Sequence, residues 1–167
     1  MSTKMMSPNT TIWWIPLAGL TTPDAPKATE INAGTNISCA IVTGFTLGAT
    51  ASDTDDSKSI CDEGNVQTRT LGNYEANLSF FRDPISATPT VYSTAFDLFK
   101  VPRVEGWLVS RQGKKATELA VEDDIVSVFK VMNDASMDET GDKGTPINFT
   151  VPFLQRGEMH VNVDVVA

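Results

Sequence analysis

The sequence is poor in the residues on which most catalytic sites depend. It contains one histidine, His160, and two cysteines, Cys39 and Cys61, in 167 residues. No Gly-x-Ser-x-Gly segment is present to carry a serine nucleophile, and neither of the glycine-rich phosphate-binding motifs occurs. His160 lies on the polar side of an alternating stretch, where a solvated side chain is expected. We therefore predict that the protein is not an enzyme and that it has no cofactor and no metal site.

Long apolar runs and a surplus of basic residues are also missing. The longest apolar candidate, residues 12–20, is interrupted by Pro16 and Gly19, whereas a membrane-spanning helix needs about 18 apolar residues. Lysine and arginine total 13 against 21 acidic residues, which gives a net charge of −8. We expect no membrane insertion and no binding of DNA through its phosphates. The first residues show no signal-peptide pattern, so we expect folding in a cytoplasm with both cysteines reduced and packed.

Length and composition predict one domain. At about 150 residues per domain, residues 1–167 form a single unit, and 41% hydrophobic residues are enough for one core. Within this unit we expect a flexible N-terminal arm over residues 1–30 or so and a long acidic loop over residues 48–65 or so.

The alternation of apolar and polar residues predicts a mainly β fold. Strands are expected at residues 37–47, 74–81, 106–111 and 125–132, the last in the middle of the sheet because both of its faces are apolar. Residues 134–144 are typical of a polar hairpin tip. Residues 147–153 and 159–165 are predicted to pair as a closing hairpin, with a turn near Arg156 and Gly157. The expected fold is an antiparallel β-barrel or sandwich of about seven strands with one packed α-helix.

One segment has the period of a helix instead. Thr88 is a candidate N-cap and Pro89 a candidate first helical residue. Four apolar residues that follow are spaced to share one face: Tyr92, Ala95, Phe96 and Phe99. We predict a single amphipathic helix whose aromatic face packs against the sheet.

An aromatic segment lies close to the N terminus. It consists of Ile12, Trp13, Trp14 and Ile15. These side chains can belong to the core of the chain itself. They can also form an arm that anchors on another subunit, since large aromatic side chains on a short arm bury their surface most readily against a partner. The sequence leaves both interpretations open.

The carboxylates fall into three acidic groups, each with a net charge of −4. The first contains Asp53, Asp55, Asp56, Asp62 and Glu63 around Lys58; the second contains Glu118, Glu122, Asp123 and Asp124; the third contains Asp134, Asp138, Glu139 and Asp142. No EF-hand loop starts in them, because the glycine and glutamate that such a loop requires are replaced. Solvated loops are the simplest interpretation. Around a common axis, these loops or the polar strand faces of many copies would instead repel a polyanion within about 8 Å.

Several segments resemble the major tail proteins of long-tailed bacteriophages of actinobacterial hosts. The segments that carry the resemblance occur in the same order as in that family: residues 31–50, 58–68, 73–83, 95–99, 106–109 with 113–116, and 150–153. Each of them is a strand core or a turn, and none is a catalytic signature. The resemblance covers residues 31–167.

The resemblance implies a structural protein of the virion tail. It implies a tail-tube fold whose subunits form hexameric rings, stacked into a hollow tube through which genome DNA passes without specific binding. The implied partners are further copies of the chain and the tape-measure, tail-terminator and baseplate or tip proteins, assembled in the cytoplasm of the host. In such a tube the aromatic segment and the first acidic group are candidates for contacts between rings. All three acidic groups are candidates for charge on the wall of the channel.

Three other functions are compatible with parts of the sequence. A tail-terminator or tail-completion protein would have a similar fold but would be scarce in the virion. A carbohydrate- or receptor-binding β-sandwich would use Trp13, Trp14 and Trp107 as exposed stacking platforms, although Trp107 lies in an apolar strand. A glycosidase would need a pair of carboxylates from the acidic groups.

Overall fold

A computed structural model describes residues 4–5, 9–84 and 89–167. Ten strands occur among these residues: β1 (Thr10–Pro16), β2 (Thr35–Asn36), β3 (Thr46–Thr50), β4 (Thr54–Asp55), β5 (Thr68–Arg69), β6 (Asn73–Phe81), β7 (Glu105–Gln112), β8 (Ile125–Asn133), β9 (Met137–Glu139) and β10 (Asn148–Asp164). The α-helices are α1 (Ala28–Ala33) and α2 (Val91–Phe99), and single 3₁₀ turns lie at Leu17–Gly19 and Ser38–Ala40.

Eight of the strands form one antiparallel sheet. Its order is β2-β1-β7-β8-β10-β6-β3, and β9 pairs with the first residues of β10. The strands β4 and β5 form a separate two-stranded ribbon. The predicted mainly β, antiparallel fold with one main helix is confirmed, and β8 lies in the middle of the sheet. The sheet is not closed into a barrel.

The core lies on both faces of this sheet. On one face, called here the covered face, α2 packs over β6, β8 and β10, and the rings of Trp14 and Phe99 meet edge to face with centroids 5.1 Å apart. On the opposite face, α1 and the connections around Leu20 and Ala120 cover β1, β7 and β8. The second cover does not extend over β3, β6 and β9, which therefore have one exposed face.

The helix α2 begins at Val91 with Thr90 as its N-cap. The Ser93 amide donates to the Thr90 hydroxyl at 3.2 Å, and the Thr90 amide donates to the Ser93 hydroxyl at 2.7 Å. This reciprocal pair satisfies two of the amides that a helix start leaves unbonded. Thr88, the predicted N-cap, lies outside the described residues. On the helix face, Ala95 and Phe99 are buried, and Tyr92 and Phe96 pack against the core as half-buried residues.

The predicted hairpin at the end of the chain is wrong, because β10 is one strand of 17 residues. Its pairing with β8 continues from Gln155 opposite Val131 to Met159 opposite Phe129, so the three residues between them bulge out. Gly157 has φ +106°, a value that glycine adopts without strain. The glycine therefore bends the strand without reversing it.

The predicted strand over residues 37–47 is also wrong for all but its last two residues. Ser38 opens a 3₁₀ turn, and its hydroxyl and amide both donate to the Asn36 carboxamide oxygen, at 2.7 and 3.1 Å. Such local bonds compete with strand pairing. The strand begins only at Thr46. The short helix α1 was not predicted.

The flexible arm predicted for residues 1–30 does not extend over β1. This strand pairs with β2 on one side and with β7 on the other, over all seven of its residues. Cys39 and Cys61 are free and exposed, whereas packed thiols were predicted. Within residues 4–5, 9–84 and 89–167, no helix is long and apolar enough to cross a membrane.

Candidate assembly and channel surfaces

One half of the sheet has a mainly polar face that no helix covers, called here the open face. Along β6, Ala76, Leu78 and Phe80 point into the covered face and are buried, so the residues between them point the other way. The register places partners of neighbouring strands on the same face. The open face consists of Thr46, Gly48, Glu75, Asn77, Ser79, Met137, Glu139, Asn148, Thr150, Pro152 and Leu154.

The charges on the open face are mainly acidic. Glu75 and Glu139 are exposed and lie on β6 and β9. Glu105 continues the same face on β7, in the row that contains Met132 and Leu154. Its carboxylate is paired with Arg156, whose guanidinium nitrogens lie 3.0 and 2.8 Å away. Two free carboxylates outweigh the one cation that is not neutralised, Lys130, which lies on the same side of β8 as Met132, so this face has a net negative charge.

Several strand edges have no strand partner among the described residues. Those of β2, β9 and the β4–β5 ribbon belong to strands of only two or three residues. Two longer edges remain: the outer edge of β3, which ends the sheet, and the C-terminal half of β10, because β6 pairs with β10 only as far as Phe153. Beside the β10 edge lies an edge groove of about 250 Å³, lined by Arg69, Gly72, Gly157, Glu158, Met159 and His160. Unpaired amides and carbonyls on such edges are templates for pairing with another chain.

The first acidic group lies on an exposed excursion between β3 and β6. Residues 53–71 are all exposed, and Ile60 at the middle of the segment is 103% exposed. Hydrogen bonds from the side chain and the backbone amide of Ser57 lower the pKa of Asp55. Asp62 accepts from the Ser59 amide at 2.7 Å, so local turns shape this segment. Ile60 is thus an exposed apolar residue on an acidic loop.

The carboxylates of the second acidic group differ in how far they are buried. Glu118, Glu122 and Asp123 are exposed, whereas Asp124 is only 6% exposed. Asp124 binds the buried guanidinium of Arg111 at 2.9 Å and also the ammonium of Lys114. Burial alone would raise the pKa of Asp124, but the hydrogen bonds from Lys114 and Arg111 outweigh it and lower the pKa. Asp124 is an internal ion-pair partner, which contradicts its assignment to a channel wall.

The third acidic group lies on and around β9 and points in different directions. Asp138 is on the covered side, where it pairs with Arg82 at 3.0 Å. Glu139 is on the open face and accepts a hydrogen bond from the Thr150 hydroxyl. Asp134 and Asp142 are exposed in the connections on either side of β9. Only Glu139 of this group contributes to the open face. Among the described residues, no three His, Cys, Asp or Glu side chains are placed to hold a metal ion together.

The aromatic segment lies in the core of its own chain. Ile12, Trp13, Trp14 and Ile15 are 1 to 2% exposed, with Trp14 and Ile12 on the covered face and the other two beneath α1 and its connections. The interpretation of these residues as core is the one that the structure shows, so they are not available to anchor on another ring. Trp107 is 3% exposed. The stacking platforms required by the carbohydrate-binding alternative are therefore absent.

Sequence reasoning missed two features of the structure, one on the open face and one in the interior. The alternation of apolar and polar residues over 74–80 places Glu75 on the polar face of its strand, but the sequence gives no signal of a role for it. Arg111 carried no local signal, because its partners Thr11 and Asp124 lie 100 and 13 residues away in the sequence.

Comparisons with known proteins identify the family. The model of the phage tail tube protein family matches residues 1–167. No curated protein matches the sequence. Among solved structures, a chain of the cryo-EM structure of the anti-feeding prophage baseplate, 6-fold symmetrised, has 12% identity and a TM-score of 0.49, with 96% of each chain covered. On the match of the family model over its whole length, the chain belongs to the phage tail tube protein family.

Proposed function

We propose that this chain polymerises as stacked hexameric rings into the hollow tail tube of a long-tailed phage of an actinobacterial host, and that genome DNA passes through the tube. Its role is structural and not catalytic. The family supports a component of the virion tail. The single observation that carries the proposal is a sheet whose two longer unpaired edges, on β3 and on the C-terminal half of β10, flank an acidic face, since unpaired edges are a liability in a lone subunit.

Ring closure pairs the free edge of β3 in one subunit with the free edge of β10 in the next. This head-to-tail contact uses two different surfaces, an arrangement that generates a ring when the rotation between neighbouring subunits closes. The β10 edge is exposed over Leu154 to Glu158, and Val161 beyond it is 42% exposed. Pairing would cover these residues together with the edge groove. It would also satisfy the backbone groups that both edges leave unpaired.

The open face lines the channel in this proposal. Glu75 and Glu139 then repeat in every copy and line the wall with negative charge, while each Arg156 is neutralised by Glu105. Like charges repel DNA within about one Debye length, roughly 8 Å, so the polymer slides and does not bind. The acidic loop lies outside the open face and is the candidate for contact between rings, with Ile60 as its apolar tip.

Assembly is tested first by electron microscopy and light scattering of the purified chain. We expect rings or hollow tubes. A chain that stays monomeric even when it is produced together with the other tail proteins would contradict the proposal. The same protein allows the edges to be identified by disulfide trapping, because a disulfide requires Cα atoms about 4.4–6.8 Å apart.

For the trapping experiment, Cys39 and Cys61 are first replaced by serine, since both are exposed and would cross-link on their own. A cysteine at Gly48 on β3 is then combined in turn with one at Glu158, His160 or Asn162 on β10. After oxidation of assembled protein, we expect a ladder of covalent oligomers that ends at the hexamer for one of these pairs. Each single-cysteine variant is the matched control. Tubes in which none of the three pairs cross-links would refute the assignment of the edges.

A further inference from the structure

A second groove, called here the polar groove, lies on the open face and is bordered by the segment that leads into β3. Its volume is about 250 Å³, and it is lined by Val42, Thr43, Gly44, Phe45, Thr46, Asn77, Ser79, Glu139, Asn148 and Thr150. Glu139 is the only charged residue among them. The polar side chains come from β6, β9 and β10, which are paired in register at this point. Rigid strands therefore fix their spacing.

The hydroxyl groups at the base of the groove have already used their hydrogens. The Ser79 and Thr150 hydroxyl oxygens are 2.6 Å apart, and Thr150 also lies within hydrogen-bond distance of the Glu139 carboxylate. A hydroxyl has one hydrogen, and an ionised carboxylate can only accept. Thr150 therefore donates to Glu139, and Ser79 must donate to Thr150. Only lone pairs of these two hydroxyls remain.

Asn148 adds an acceptor that has no donor. Its side-chain oxygen is buried, and no hydrogen-bond partner for it is present among the described residues. Asn148 lies directly opposite Glu139 in the register of β9 and β10. Side chains of directly opposed residues start about 4.5–5.5 Å apart. The Asn148 amide and the Glu139 carboxylate are thus neighbours on the open face, and no cationic side chain lines the groove.

From this arrangement we infer that the polar groove binds a divalent cation, with Ca²⁺ as the preferred ion. A cation supplies positive charge to a cluster that is rich in acceptors. Ca²⁺ accepts carboxylate, amide and hydroxyl oxygens together with water in variable geometry, whereas Mg²⁺ demands a near-ideal octahedron and gives up its water reluctantly. The ligands are Glu139, the Asn148 side-chain oxygen and the lone pairs of Ser79. With one carboxylate, the dissociation constant falls in the range of about 0.1–1 mM.

The test is a Ca²⁺ titration of the full chain at constant ionic strength, followed by the midpoint of thermal unfolding and by calorimetry. We expect a saturable rise in the midpoint for the wild type and at least a tenfold weaker response for Glu139→Gln. Glu75→Gln is the matched control, because it makes the same charge change on the same face outside the groove. Asn148→Asp adds a carboxylate and should tighten binding about tenfold.

Three results would overturn the inference. If Ca²⁺ did not change the thermal unfolding midpoint of the wild type, water molecules and not a cation would bind the acceptors of the groove. If Mg²⁺ raised the unfolding midpoint as much as Ca²⁺, the ions would be screening surface charge and not binding at the groove. The same conclusion would follow if Glu139→Gln and Glu75→Gln weakened the response to Ca²⁺ equally. The titration needs no assembly, so its failure leaves the proposed tail tube untouched, and failure to form tubes leaves the cation site untouched. If the titration succeeds, the bound cation offsets the charge of Glu139, so the repulsion by Glu139 proposed for the channel wall applies to the cation-free chain.

Discussion

Replacing Arg111 with methionine should destabilise this fold more than any surface change. The guanidinium of Arg111 is 1% exposed and lies between the sheet and the connection from β7 to β8. It donates to the carbonyl oxygens of Lys115, Glu118 and Leu119 at 3.2, 2.8 and 2.8 Å, and to Asp124 at 2.9 Å. Methionine keeps an apolar stem of similar length. The substitution therefore removes the charge and the donors while most of the packing remains.

The size of the effect follows from the burial of both partners. Breaking a buried ion pair by removing one member costs about 3–5 kcal/mol. Asp124 retains its contact with Lys114, whose side chain is 40% exposed, so the lower end of that range applies. Three carbonyl oxygens also lose their donor, although water can reach them at the exposed connection. We expect a loss of about 3 kcal/mol, against a total stability of about 5–15 kcal/mol for a domain.

Urea unfolding followed by tryptophan fluorescence measures this loss directly, because all three tryptophans are buried. With a slope of about 1–3 kcal/mol per molar urea, the midpoint should fall by about 1–3 M. Arg82→Met is the control: Arg82 pairs with Asp138 at the surface, and such pairs contribute about 1 kcal/mol or less. If Arg111→Met and Arg82→Met lost the same stability, the buried pair of Arg111 and Asp124 would not stabilise the connection from β7 to β8, and the prediction would be refuted.

Three further predictions test the core and its pH dependence. Trp14→Ala should cost about 3–5 kcal/mol in the same urea assay, because Trp14 packs against two phenylalanines under α2; a loss below about 1 kcal/mol would contradict this. Gly106→Ala should unfold at lower urea than Gly48→Ala, since a Cβ at Gly106 would lie 2.5 Å from the Trp14 ring while one at Gly48 meets nothing within 4 Å; equal midpoints would refute the clash. The folded-state pKa of Asp124 is lowered, so its carboxylate stabilises the fold above the unfolded value of about 4 and this contribution is lost as the pH falls toward the folded value. Asp124→Asn should therefore flatten the decline of the urea midpoint below about pH 4, and an unchanged slope would show that other carboxylates control it.

The sequence predicts an element directly where one of its faces is wet. In β6 every second residue from Tyr74 to Phe80 is buried, and the residues between them are not. A half-exposed strand imposes this period of two on its own residues, so local pattern is sufficient. The same holds for α2, where the spacing of Ala95 and Phe99 follows from one buried face.

The sequence predictions fail where contacts between segments distant in the sequence determine the structure. An apolar run such as β1 is expected both for a strand covered on two faces and for an arm that seeks a partner, and only the presence of α1 and α2 on its two sides separates these cases. A glycine with positive φ suits a turn and a bulge equally well. Gly157 lies in a bulge because β8 pairs with the residues before and after it. No pattern within β10 contains that information.

The candidate surface was predicted only in part for the same reason. Acidic groups were recognised by proximity in sequence, but a sheet sorts residues by face. Asp138 and Glu139 are adjacent in sequence and lie on opposite sides, while Glu75 and Glu139 share a face although 64 positions separate their numbers. Register, which depends on long-range pairing, decides which charges act together.

The unequal thickness of the two faces determines how a ring of these subunits would curve. If the edges of β3 and β10 pair, the sheet continues from one subunit to the next and each face continues with it. The helix α2 packs on the covered face over β6 and β10, while the open face of the same strands is bare. In a closed ring the thicker layer fits on the outside, where the circumference is larger. The open face is then concave. Placing the thicker layer outside therefore also places Glu75 and Glu139 of every copy on the channel wall. A charge reversal at Glu75 would therefore recur in every copy around the ring and weaken the repulsion between the wall and DNA. The same reversal at Asp138, on the covered side, would leave this repulsion unchanged.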